Sequence, residues 1–314
     1  MKRGTYVARP IIMERRNLAR VAKSWQLYML LLPALACIIL FAYAPMYGVQ
    51  IAFRDFKVNL GFFDSPWVGL KYFDQFVSLS NFGTLLKNTL LISVYSLLFG
   101  FPAPIILALL LNQLKMKKFK SFIQTVTYAP YFISTVVIVS MMSIFLQPST
   151  GFINNIIVSL GNKPVAFMGR PEWFRFIYVL SGIWQGVGWG AIVYLASLGG
   201  VNPELYEAAM VDGASRLRRL WHIDIPCILP TVVIMFILQM GNLMNVGYEK
   251  AFLMQNAQNN QVSEIISTYV YKVGLLNGKY SFATAVGLFN SLINCVLVLS
   301  VNAISKRLTE TSLW

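Results

Sequence analysis

The chain has 314 residues, of which 57% are hydrophobic and only 12% charged, and its net charge is +14. So apolar a composition excludes a soluble domain and describes a polytopic membrane protein. The surplus of Lys and Arg is not a nucleic-acid footprint, because it gathers in short segments flanking apolar runs, as membrane topology demands.

Residues 1–25 carry Lys2, Arg3, Arg9, Arg15, Arg16, Arg20 and Lys23 against the single acid Glu14, which predicts a cytoplasmic tail. The run 26–46 is long enough to span a bilayer. It is too long for a signal peptide, and its Ala-Tyr-Ala phrase is followed by Pro45, so it reads as an uncleaved first span. Residues 47–85 read as an external loop, partly helical, with Trp67, Tyr72, Phe73 and Phe76 suited to an interface.

Residues 86–305 read as a core of five further spans, at about 85–111, 122–146, 174–198, 227–246 and 282–304, before a tail at 306–314. Lys115, Lys117, Lys118 and Lys120 follow the second span, and Pro130 predicts a bend in the third. In the fourth, Gly186, Gly188 and Gly190 alternate, which permits close helix contact or local unwinding. An external loop at 247–281 is expected to include an amphipathic helix, 262–276. Placing the tails, the lysine loop and the 201–226 segment on one side collects 16 of the 26 basic residues there. The expected fold is therefore an all-α membrane protein of six transmembrane helices with both termini cytoplasmic. Cys37, Cys227 and Cys295 have no paired spacing and read as small buried hydrophobes.

Segment 201–226 is where the chain turns polar between two apolar runs. Asn202 suits a helix cap and Pro203 its first position, with Glu204 and Glu207 in the early turns, where the dipole favours negative charge. Ala208 and Ala209 keep one face low, Asp212-Gly213 reads as a turn, and a second short helix carries Arg216, Arg218 and Arg219. Pro226 and Pro230 bracket the entry into the next apolar run.

Such a segment could be an ordinary amphipathic loop. Its spacing, Glu207-Ala208-Ala209, Gly213, Ile223 and Ile225-Pro226, resembles the EAA loop of binding-protein-dependent ABC importer permeases. Leu220, where an aromatic is common, and Ile225, in place of Leu, are departures that conserve bulk. The resemblance implies that Glu204, Glu207, Ala208, Ala209, Asp212, Gly213, Arg218, Ile223 and Pro226 belong to a coupling loop that docks into a cytoplasmic ATPase.

The chain offers little chemistry of its own. Gly274 to Lys279 lacks the spacing of a phosphate-binding loop and ends before Tyr280 rather than Ser or Thr. His222 is the single histidine, with no metal cluster or catalytic partner, so neither a catalytic nor a metal site is expected. Carboxylates are nearly absent from the spans, which weighs against an ion-coupled carrier without excluding it. The spans do hold neutral amides: Gln185, Gln239, Asn242, Asn245, Asn290 and Asn294, with Trp184, Trp189 and Tyr248 near them in sequence. Gln239, Asn242 and Asn245 keep to one side of a helix, as do Asn290 and Asn294. Amides with aromatic faces suit the hydroxyls and C–H faces of a sugar, and amides alone also serve as interhelical glue.

The phrases NTLLISVYSLLFGFPAPIILALLLN, YAPYFIS, YLASLGGVNPELYEAA and YSFATAVGLFNSLIN resemble carbohydrate-uptake permeases of the polysaccharide and lipoprotein-associated branch. That resemblance implies a type I importer fold in a bacterial cytoplasmic membrane. It implies a second homologous permease, two ATPase subunits holding ATP and Mg, an external solute-binding protein and a carbohydrate substrate, with no cofactor on this chain. Two alternatives stay open, an ion-coupled secondary carrier and an importer permease for a non-sugar solute such as a peptide.

Overall fold

The computed structural model describes residues 25–309, 312 and 313; the expected basic tail lies outside them up to residue 24. Among the described residues the secondary structure is helical, and the extended pairing is one antiparallel bridge between Arg54 and Trp67. The described residues fall into two units, divided between residues 50 and 51. The described part of the first belongs to α1 (Trp25–Phe53), which continues past the expected end at Met46. Its apolar side chains, Leu30 and Phe41 among them, are exposed, as suits a helix surrounded by lipid.

The second unit contains, in order, α2 (Phe82–Asn112), α3 (Lys117–Phe132), α4 (Thr135–Phe145), α5 (Pro171–Gly199), α6 (Pro203–Val211), α7 (Arg216–Met240), α8 (Tyr248–Met254) and α9 (Tyr280–Thr309). Helices α2, α5, α7 and α9 are long and apolar enough to cross a bilayer. The expected third span is two limbs, α3 and α4, bent by 101°, and counting the pair as one crossing gives six with α1. Pro130 tightens the end of α3, and Ser134 starts α4 afresh, its Oγ accepting from Val137 N at 3.4 Å.

Helix α5 runs through the centre. Ile92, Val139, Phe174, Tyr178, Ala251 and Ile265 pack around one end of it, and Ala108, Leu109, Ala191, Tyr194, Leu198 and Ile228 around the other. Its alternating glycines do not unwind it, and two of them let neighbours in. A Cβ on Gly188 would collide with the Thr127 carbonyl of α3, and one on Gly190 would sit 3.0 Å from Pro104 of α2. A further cluster joins Phe76, Leu85, Met244, Phe282 and Val286 beside α9.

Three expectations are corrected. The stretch 262–276 is not one amphipathic helix: it breaks at Glu264 and Ile265, where Thr268 Oγ1 accepts from Ile265 N at 3.0 Å and Thr89 of α2 accepts from Ile266 N at 3.0 Å. The cysteines are exposed on this subunit, not buried, because they lie on outward helix faces. Helix α7 stops at Met240, short of Asn242 and Asn245. Beyond it the chain tightens into i to i+3 turns, with Asn242 N bonded to Gln239 O and Leu243 N to Met240 O.

Candidate functional site

The hairpin made by α6 and the start of α7 follows from local chemistry. Asn202 Oδ1 accepts from Glu204 N at 3.0 Å, capping α6 ahead of Pro203. At the other end, Ala214 N reaches Ala209 O at 2.8 Å and Gly213 N reaches Met210 O at 3.1 Å, the two bonds of a Schellman turn. That turn needs a left-handed residue, and Gly213 supplies it at φ 72°. Ser215 Oγ then accepts from Arg218 N at 3.3 Å to start α7.

Of the residues expected here, Glu204, Glu207, Ala208, Asp212, Gly213, Arg218 and Pro226 are exposed. Ala209, Asp212, Arg218, His222 and Ile223 line a shallow hollow between the two arms. Around it Leu205, Met210, Val211, Leu217 and Trp221 expose large apolar surfaces. His222 Nδ1 lies 2.9 Å from Arg218 O on the same helix, and among the described residues nothing groups with it as a metal site.

Sequence reading missed what holds the arms together. Asp224 is fully buried, and its carboxylate accepts from Tyr206 Oη of α6, from Gln113 Nε2 at 2.8 Å and from Asn112 Nδ2 at 3.4 Å. One carboxylate thus ties the hairpin to the end of α2. Burial, and next the bond to Asp224, push the Tyr206 phenol up to about 12. The available signal was an isolated acid in the Ile-Asp-Ile-Pro phrase between a polar loop and an apolar run.

At the other end of α7 lies a cavity of about 390 Å³. Gln185 of α5 and Gln239 of α7 both line it, beside Tyr178, Tyr194, Gly186 and Lys250. Gln185 also donates to Ile133 O at 3.1 Å, at the break between α3 and α4. The remaining predicted residues do not share this wall. Asn290 Nδ2 donates to Met244 O at 3.3 Å and Asn245 Oδ1 at 3.2 Å, and Asn294 Oδ1 accepts from Met244 N at 3.0 Å. Asn245 in turn donates to Asn242 Oδ1 at 3.4 Å, so these four amides join the chain after α7 to α9. Asn245 and Asn294 line a separate groove with Gly241 and Cys295. Trp189 stacks on Tyr131 with centroids 4.5 Å apart, Tyr248 stacks on Tyr271 at 5.5 Å, and Trp184 is half exposed.

Lys250 on α8 was not predicted. It is 8% exposed, its Nζ donates to Tyr178 O at 2.8 Å and lies 4.7 Å from the centre of the Tyr178 ring. Burial pushes its amine down to about 8.

Residues 100–310 match the family model described as binding-protein-dependent transport system inner membrane component. Protein LplB of Bacillus subtilis (strain 168) is 43% identical over 297 residues, covering 95% of this chain and 93% of LplB. The polygalacturonan/rhamnogalacturonan transport system permease protein YteP of the same organism is 42% identical, covering 96% of this chain and 94% of YteP. Among solved structures, a bacterial ABC transporter involved in import of the acidic polysaccharide alginate contains a chain with a TM-score of 0.86 and 40% identity, covering 94% of this chain and 100% of that one.

Proposed function

Since the chain belongs to the family of binding-protein-dependent transport system inner membrane components, we propose that it forms half of the translocation pathway of an ATP-driven importer for an oligosaccharide or polysaccharide fragment. The observation that carries this reading is the continuity of α7. It runs as one helical segment from Arg216 in the hairpin, through a π-helical turn at Leu220–Asp224 and past Pro230, to Met240, one residue past Gln239 on the cavity wall. At 1.5 Å per residue that is a rod of roughly 36 Å. Movement of the hairpin is therefore carried to the cavity along one helical segment.

In this reading the hairpin and both termini face the cytoplasm of a bacterial cell, and the chain passes the cell membrane several times. The exposed residues Glu204, Glu207, Asp212 and Arg218, with the apolar Leu205 and Val211, form the docking face for one of two ATPase subunits. Those subunits hold ATP and Mg; this chain binds no cofactor. A second homologous permease completes the pathway, and an external solute-binding protein delivers the sugar. Relatives that transport polygalacturonan/rhamnogalacturonan and alginate support a carbohydrate, as do the amides and tyrosines of the cavity.

The test is ATP hydrolysis by the assembled complex in proteoliposomes, with binding protein loaded with defined saccharides. Saccharide-stimulated hydrolysis is expected. Uptake by this chain without any ATPase would overturn the reading.

A further inference from the structure

We propose that Lys250 is a carboxylate-recognising subsite on the cavity wall, which makes the transported sugar an acidic one bearing uronate groups. This rests on the carbohydrate reading above and narrows it.

Among the described residues that line the cavity, Lys250 is the charged one; its companions are neutral, with the amides of Gln185 and Gln239 and the Ser96 hydroxyl among aromatic, glycine and apolar side chains. The side chain is more than nine-tenths buried. A buried ammonium is costly unless an anion compensates it, and buried cations are therefore normally paired. Among the described residues the ion pair is Lys272 with Glu264, and no carboxylate meets Lys250. Its one bond, to Tyr178 O, uses one of three N–H donors, and the Tyr178 ring adds a weak cation–π contact. Gly182 leaves the amine room, since a Cβ there would lie 3.4 Å from Nζ. Burial lowers the pKa of this amine, and an anion beside it would favour the charged form.

A charge held in a cavity without a counter-ion is the arrangement that an anionic ligand completes. Gln185 and Gln239 then serve sugar hydroxyls, and the Tyr178 and Tyr194 rings serve C–H faces. A phosphorylated sugar would bring more charge than one ammonium balances, whereas a monoanionic group such as a uronate carboxylate matches it.

The bland account of Lys250 is a clamp that fastens α8 to α5 through Tyr178 O, and the experiment separates the two. Saturation-transfer NMR would follow trigalacturonate and its methyl ester on the assembled permease–ATPase complex without binding protein, so that no other component selects the sugar. The native complex is expected to bind the acid at least about tenfold more tightly than the ester, the worth of one hydrogen-bonded charge. Lys250→Met should abolish that preference, and Lys250→Arg should keep most of it. Equal binding of acid and ester by the native complex overturns the proposal, and needs no variant to fold. So does undiminished acid binding by Lys250→Met, or an equal loss of both sugars in Lys250→Met and Lys250→Arg. If both sugars bind alike, the Lys250 assignment falls while the carbohydrate reading stands; if neither binds and a non-sugar solute drives ATP hydrolysis, both fall.

Discussion

Tyr206 and Asp224 meet across the two arms of the hairpin, the phenol donating to a carboxylate that has no exposed surface. Gln113 and Asn112 reach the same carboxylate from α2, so three segments converge on one acid. Tyr206→Phe removes a hydrogen bond to a charged group, expected to cost about 1.5–3 kcal/mol. Asp224→Asn should cost a similar amount, and the double variant should lose less than the sum, because both changes break one interaction. Thermal unfolding of the purified complex measures this; strict additivity would show that the pair is not coupled.

The same contact has a pH signature. A phenol raised on folding from 10.0 to about 12 lends stability that is complete below pH 10 and is lost as pH climbs through about 12. The titratable groups acting on it are Asp224 and Cys227. Difference absorbance between native protein and Tyr206→Phe should therefore show no phenolate from this residue in the ordinary tyrosine range. Ionisation near pH 10 would contradict the buried contact.

At Gly213 the cost of a side chain is purely conformational, since a Cβ there would meet nothing within 4 Å while φ is +72°. Gly213→Val should strain the turn by about 1–2 kcal/mol and abolish ATP-driven uptake while the subunit still reaches the membrane. Gly213→Asn should retain more uptake, because asparagine tolerates the left-handed region. Uptake assays in membrane vesicles, normalised to the amount of subunit, compare the two.

The glycines of α5 should rank by what stands opposite them. Gly186 has open space, so Gly186→Ala should be harmless or stabilising by up to about 1 kcal/mol through helix propensity. Gly190→Ala presses on the Pro104 side chain and should cost less than Gly188→Ala, which meets backbone and should cost about 1–3 kcal/mol or more. Yield and melting temperature of the three complexes would give the order.

Amide replacements should split into two behaviours. Asn294→Leu leaves Met244 N, now bonded at 3.0 Å, without its acceptor, and should lower stability by about 1–3 kcal/mol with little change in KM for transport. Gln185→Ala and Gln239→Ala, on the cavity wall, should raise KM with a smaller effect on melting. A changed KM for Asn294→Leu alone would move the pathway to the α7–α9 junction.

What could be read in advance was local. The Asn202 cap and the Gly213 turn are set by residues two to five positions apart, and a run of apolar residues announces a span wherever it later packs. The bonds that organise the site are not local: Gln113 to Asp224 crosses 111 residues and Lys250 to Tyr178 crosses 72. No periodicity encodes such pairings. The expected amide stripe at Gln239, Asn242 and Asn245 assumed that α7 continued. It ends beside Gly241, where α9 packs so closely that a Cβ would sit 2.7 Å from Val298. Pro130 signalled a bend, but its size of 101° is not written in the proline itself.

The contact between Gly188 and the Thr127 carbonyl also bears on how this gene can drift. Every coding change that replaces a glycine introduces at least one carbon on the backbone, and at this site even the smallest enters space held by main-chain atoms. A replacement there is thus expected to need a compensating shift of α3, and two simultaneous changes in separate helices are far rarer than one.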